Sequence, residues 1–165
     1  MGREYTVQEA LKMAIMAEKD SKDFYEKAAS VTKNARARKV FRLLAGEEAE
    51  HLKSFFGLYE GGDFGDLDSF LQSPPDKHSP MYGALKRAID KETHEQKALE
   101  IALHEEKACI DRYTQFARDI VDPLVRSIFE RVVKETQKHY ELIESEYAHV
   151  MRMVHESDQD IFVRE

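Results

Sequence analysis

The sequence is poor in cysteine, glycine and proline, and each shortage limits the structures that it can form. Cys109 is the only cysteine among 165 residues, so the chain can form neither an internal disulfide nor a cysteine-rich zinc site. Seven glycines and four prolines leave long stretches without helix breakers, and 35% of the residues are charged. This composition favours long amphipathic helices, and the length suits a single domain over residues 1–165.

Long apolar runs and an excess of basic residues are missing as well. No apolar run is long enough to cross a membrane, so we expect no membrane partner. The formal net charge of −7 argues against a nucleic-acid partner, which a basic face would bind. The first ten residues contain no apolar signal core, so we expect a cytoplasmic protein.

Apolar residues recur every three or four positions in four long segments, which predicts an all-α protein. The four predicted helices cover residues 7–31, 35–59, 94–119 and 123–155. Thr6 and Glu9 form a capping box before the first helix, and Thr93 and Gln96 form one before the third. Asp122, followed by proline, opens the fourth helix, and we predict a loose tail after it.

A long connection over residues 61–92 separates the two predicted helix pairs. Ser79 and Pro80 predict one short helix over residues 81–88 within it. A connection of this length needs a structural reason, and a crossover along a four-helix bundle supplies one. We therefore predict two helical hairpins joined by a long crossover.

The two hairpins are related by an internal repeat, because the chain matches itself without a gap when it is shifted by 88 residues. Matching pairs include Ala10 and Ala98, Leu11 and Leu99, Glu18 and Glu106, Tyr25 and Tyr113, Phe41 and Phe129, and His51 and His139. Two such hairpins can pack about a two-fold axis.

Acidic and imidazole side chains interrupt the apolar stripes at one depth of the predicted bundle. They are Glu18, Glu48, His51, Glu106 and His139. A carboxylate in a dry core is costly unless it is paired or ligated, and no lysine or arginine shares these stripes. Oxygen and imidazole donors suit iron, manganese or zinc, so the sequence predicts a metal site.

The three-residue spacing between glutamate and histidine is weak evidence alone, because Glu146 and His149 repeat it elsewhere. That second pair lies about 15 Å further along the fourth helix and on another face. We interpret both residues as ordinary surface or interface residues. The repeat and the apolar stripes carry the metal hypothesis.

The chain resembles the rubrerythrin-type di-iron domain of the ferritin-like superfamily. The segments AIMAEKDSKDFYEKAA, LLAGEEAEH, ALHEEKACIDRYTQFA and VVKETQKHYELIE carry the resemblance. It implies a ferritin-like four-helix bundle that holds two iron ions, with manganese or zinc as alternatives. The implied ligands are Glu18, Glu48, His51, Glu106 and His139. It also implies reaction with oxygen or hydrogen peroxide, of the peroxidase or ferroxidase type, and a homodimer.

Thr136 stands where a second Glu-x-x-His motif would have its glutamate. Glu135 is four residues before His139 and is therefore a candidate sixth ligand, with solvation as the alternative. Without it, three carboxylates leave one positive charge on two divalent ions. A mononuclear or asymmetric site is an open alternative to a symmetric pair of ions.

Two further departures bear on the reaction. Leu103 stands where typical rubrerythrins carry an extra glutamate, which disfavours their specialised peroxidase geometry. A single cysteine cannot form the four-thiolate iron site of a rubredoxin module, so electrons would come from a separate protein. A non-catalytic metal-binding or iron-handling bundle remains the alternative function. A helical interaction module without metal is a third reading.

Two tyrosines and the single cysteine on the apolar stripes are interpreted mainly as structural residues. Tyr25 and Tyr113 follow the helix-one and helix-three glutamates by seven residues. We interpret them chiefly as core residues, with hydrogen bonding to the ligand carboxylates as the alternative. Cys109 is interpreted as a small buried residue.

Overall fold

The computed structural model describes residues 4–88 and 94–163, without the side chains of residue 94 and residues 154–163. These ranges contain six α-helices and no strand, which confirms the predicted all-α fold class. The helices are α1 (Val7–Val31), α2 (Ala35–Phe56), α3 (Leu67–Gln72), α4 (Pro80–Ala88), α5 (His94–Asp119) and α6 (Pro123–Val163). The largest contacts join α1 to α2 and α5 to α6, so the main helices form two hairpins.

Side-chain caps fix the starts of the main helices. The backbone N–H of Glu9 donates to Thr6 Oγ1 at 3.1 Å, which completes the predicted capping box of α1. Asp122 Oδ1 accepts from the N–H groups of Leu124 and Val125 at 2.9 and 3.2 Å at the start of α6. The predicted capping box at Thr93 lies outside the described residues.

Two predicted helix ends are wrong. Helix α2 ends at Phe56 rather than near residue 59, because Gly57 caps it and a tighter turn follows. Helix α6 runs for 41 residues to Val163, so its predicted end near residue 155 is wrong, and the part of the predicted loose tail that the structure describes is helical. No glycine or proline follows Pro123 within α6, so nothing in its sequence breaks the helix.

The crossover, as far as residue 88, contains two short helices rather than the single one predicted. Helix α4 matches the predicted short helix, and the Tyr82 N–H donates to Ser79 Oγ at 3.3 Å. Helix α3 was not predicted; its N-cap Asp66 accepts from the Ser69 N–H at 3.0 Å. Lys19 Nζ donates to the Ser73 carbonyl at 2.9 Å, which ties the crossover to α1.

The core consists of two apolar clusters separated by a polar layer. One cluster includes Phe24, Phe41 and Leu99, and the other includes Leu11 and Phe129. Along each main helix, the acidic and imidazole positions fall between residues of the two clusters. The fold therefore places a buried polar layer across the middle of the bundle. Within the described ranges, no helix has the length and apolarity that a membrane crossing requires.

Candidate metal centre

Five of the six predicted site residues converge in the polar layer, and each is at most 4% exposed. They form two overlapping groups: Glu18, Glu48 and His51, and Glu48, Glu106 and His139. Within each group, one potential ligand atom from every residue lies within 4.8 Å of the others. Glu48 belongs to both groups, so its carboxylate could serve both of them.

Four atoms of this layer are buried without a hydrogen-bond partner. They are Glu18 Oε2, Glu48 Oε1, His51 Nδ1 and His139 Nδ1. His51 Nδ1 lies 3.6 Å from Glu18 Oε2, and His139 Nδ1 lies 3.0 Å from Glu48 Oε1. A buried polar atom that lacks a partner costs about 1–3 kcal/mol. A divalent cation in each group would satisfy all four atoms, so the donor set fits a metal.

The pKa values show how strongly the layer opposes negative charge. Burial, with the charges of Glu18 and Glu106, raises the pKa of Glu48 well above its ordinary value. Burial likewise raises the pKa of Glu106 to about 8. Burial opposes ionisation of Glu18, but the neighbouring Glu48 and His51 side chains favour its charged form, outweigh burial and lower its pKa. Without a cation, protons must therefore neutralise part of the layer.

The two histidines differ in how the layer affects their charge. Burial favours the neutral ring of His51, but the Glu18 and Glu135 carboxylates outweigh it and raise its pKa to about 8. Burial, together with the nearby His51, lowers the pKa of His139. One imidazolium beside one neutral imidazole is therefore favoured near neutral pH in the absence of metal.

The remote ring nitrogen of each histidine contacts a carboxylate from the opposite hairpin. His51 Nε2 lies 2.7 Å from Glu135 Oε2, and His139 Nε2 contacts Glu47 Oε2. The two imidazole rings stack at 5.4 Å between centroids. Glu135 thus lies behind His51 and belongs to neither ligand group. Glu47 was not predicted as a site residue, although the repeat pairs it with Glu135.

The two buried tyrosines hydrogen-bond glutamates of the layer across the same repeat. Tyr25 Oη donates to Glu106 Oε1 at 2.6 Å, and Tyr113 Oη donates to Glu18 Oε1 at 3.0 Å. Both rings are fully buried in the apolar clusters. The two tyrosines are therefore core residues, as interpreted from the sequence, and they also form the hydrogen bonds to the candidate ligand carboxylates that were the alternative.

Thr136 occupies the position that the repeat pairs with Glu48, and its side chain is only 2% exposed. Its Oγ1 donates to the Val132 carbonyl at 2.7 Å, one turn earlier in α6. Thr136 belongs to neither ligand group. The layer thus contains three carboxylates where perfect repetition would give four.

Other predicted positions lie outside the two groups. Glu146 is buried rather than on the outer surface, and its Oε2 accepts from Arg36 Nε of α2 at 3.1 Å. His149 is partly exposed. Cys109 is a small buried residue, as predicted, and burial raises the pKa of its thiol well above the ordinary value.

A surface cavity of about 330 Å³ reaches the edge of the layer between α2 and α6. Its lining residues are Glu47, Glu50, Glu135, Lys138 and His139. His139 is therefore the layer residue that this cavity reaches from outside.

A helical bundle whose buried layer offers two overlapping groups of carboxylate and imidazole donors is the arrangement of di-metal carboxylate proteins. The chain belongs to the rubrerythrin family, a family of ferritin-like di-iron domains whose model matches residues 9–147. This match confirms the resemblance seen in the sequence. Neither the curated proteins nor the solved structures gave a match.

Proposed function

We propose that the protein is a di-iron redox protein whose buried layer reacts with oxygen or hydrogen peroxide. The observation that carries the proposal is the pair of overlapping ligand groups that share Glu48. Unpartnered, buried ligand atoms occur in both groups, as expected of side chains that bind cations. Family membership favours iron over the manganese and zinc that the same donors would accept.

In this proposal, each position receives two carboxylates and one imidazole. Glu48 bridges the two positions, Glu18 and His51 complete one, and Glu106 and His139 complete the other. Iron bound there would supply one-electron redox chemistry towards oxygen or peroxide. The apolar clusters on both sides of the layer exclude water from it.

Residues around the layer orient the proposed ligands. The Tyr113 hydroxyl holds Glu18 Oε1 and leaves the unpartnered Oε2 to face a metal, and the Tyr25 hydroxyl holds Glu106 Oε1. Glu135 and Glu47 accept from Nε2–H of their histidines, so each Nδ1 is left as the ligand atom. We propose that Glu135 is such an orienting residue and not a sixth ligand.

Electrons for repeated turnover would come from a separate protein. Cys109 is the only cysteine and lies buried, so the chain holds no thiolate cluster of its own. Without a reductant, we expect each chain to oxidise only the Fe(II) that it has bound.

Anaerobic loading with Fe(II), followed by mixing with oxygen or peroxide, tests this function. We expect two Fe(II) per chain and rapid formation of the ferric absorption band. Glu48→Ala and His139→Ala should lose this reaction, whereas the matched surface variant Glu50→Gln should keep it. Iron that binds but oxidises no faster than iron in buffer would favour the non-catalytic, iron-handling alternative. Parent-like binding in both site variants would show that the ligand assignment is wrong.

A further inference from the structure

We propose that Thr136 makes the two metal positions unequal, so that the chain binds one ion tightly and a second one weakly. This inference rests on the proposed function, because it concerns the same buried layer. It decides between the symmetric and asymmetric sites that the sequence left open.

The internal repeat shows that one position of the layer breaks its symmetry. The paired groups are Glu18 and Glu106, Tyr25 and Tyr113, Glu47 and Glu135, and His51 and His139. Each of these pairs is placed equivalently in the two hairpins. Glu48 alone has a partner of different chemistry, Thr136, although both side chains are buried.

No residue of α6 in the described structure replaces the missing carboxylate. The Thr136 hydroxyl is directed to the Val132 carbonyl of its own helix at 2.7 Å. The neighbouring Glu135 contacts the remote nitrogen of His51 and is 44% exposed. Both metal positions must therefore share Glu48 as their one bridging carboxylate.

The charge balance then separates the two binding steps. The first divalent ion can take two carboxylates, Glu48 and one terminal glutamate, and is neutralised. For the second ion, Glu48 is already bound to the first ion and only one further glutamate is available. Three carboxylates then face two divalent ions, so one positive charge remains. Repulsion between the ions adds to this deficit in a buried site. Hydroxide from water or another small anion must balance the charge, and binding of the second ion is weakened.

Titration of the metal-free full-length chain with Zn²⁺ by calorimetry tests the proposal, with Co²⁺ absorption as a second readout. Because the charge of the ligand set strongly tunes metal affinity, we expect the second dissociation constant to exceed the first by about 100-fold. Thr136→Glu should tighten the second step about tenfold or more and affect the first step less. Thr136→Val, which removes only the hydroxyl, should keep both steps of the parent.

A second variant keeps the test decisive if Thr136→Glu does not fold. Glu106→Gln removes one of the two terminal carboxylates and should leave a single tight step. Glu130→Gln, on the exposed face of α6, serves as the matched control and should keep both steps.

Three results would overturn the proposal. The first is two tight steps of equal affinity in the parent protein. The second is loss of the weak step in Thr136→Val, which would make the threonine hydroxyl a ligand. The third is a folded Thr136→Glu variant with an unchanged second step. Absence of any specific binding by the parent would instead contradict the proposed di-metal function, and this inference with it.

Discussion

Glu48→Gln should change the stability of the protein in opposite directions without and with metal. Glu48 is buried and shared by both ligand groups, and burial together with the charges of Glu18 and Glu106 opposes its ionisation. Glutamine has nearly the same shape as glutamate but no charge, so the substitution removes the cost of a charged residue 48 from the metal-free layer. The same change removes the proposed bridging ligand, so the variant should gain little from added metal.

The expected size of each effect follows from the geometry. The ligand atoms lie within 4.8 Å of one another in each group. Two like charges about 4 Å apart repel by about 4 kcal/mol at an effective dielectric constant of about 20. Because protonation already relieves most of this repulsion, we expect metal-free Glu48→Gln to gain about 1–2 kcal/mol, or about 2–8 °C in Tm. Zinc at about 100 times its Kd should stabilise the parent by about 2.7 kcal/mol.

Thermal unfolding followed by circular dichroism at pH 8, with chelator or with excess zinc, measures both effects. The variant should unfold at a higher temperature than the parent in chelator, and at a lower one in zinc. Glu50 lies on the same helix as Glu48, and its side chain is 70% exposed. The control variant Glu50→Gln should therefore have the unfolding temperature of the parent in both conditions. A variant that is less stable than the parent in chelator, with a parent that zinc does not stabilise, would refute the reasoning. That outcome would indicate a buried polar network without metal.

Three further predictions concern pH, metal affinity and the crossover. The folded metal-free protein holds protons on Glu106 and His51 up to about pH 8, whereas the unfolded chain releases them at lower pH. The free energy of unfolding measured in urea should therefore fall from pH 6.5 to 8, and added zinc should make it less dependent on pH. A pH-independent metal-free stability would contradict these assignments. Glu135→Ala should weaken zinc binding about 10–100-fold at unchanged stoichiometry, measured by calorimetry; loss of a whole binding step would make it a ligand. Lys19→Met leaves the buried Asp23 carboxylate with only the longer contact to Lys22 Nζ at 3.8 Å and should cost about 3 kcal/mol in urea unfolding. A loss under about 1 kcal/mol would show that the Lys19–Asp23 pair is unimportant.

The main helices could be predicted because few residues in the chain break a helix. The bounds of α1 and α5 coincide with those read from the apolar periodicity and the caps. The six-residue α3 is too short to show a periodicity, and its cap Asp66 resembles any loop aspartate. The end of α6 was predicted too early because the apolar stripe shows only where the helix packs against the bundle. A helix without glycine or proline can continue beyond the last packed residue.

The polar layer could be predicted because a carboxylate on an apolar stripe demands a partner. Its details could not, because residues three and four positions before a histidine lie on the same side of a helix. Glu135 was therefore a candidate ligand of His139, its neighbour in sequence. The packing of the opposite hairpin places it against His51 instead. The tyrosine hydrogen bonds depend in the same way on how the two hairpins meet.

Anomalous diffraction from crystals of protein made in iron-replete cells tests the central claim most directly. The account predicts iron peaks inside the layer, a stronger one and a weaker one, each bonded to Glu48 and to one histidine Nδ1. Glu135 should remain behind His51 in that structure. A layer that holds no ion after iron has been supplied, or a metal bound only elsewhere on the chain, would contradict the account.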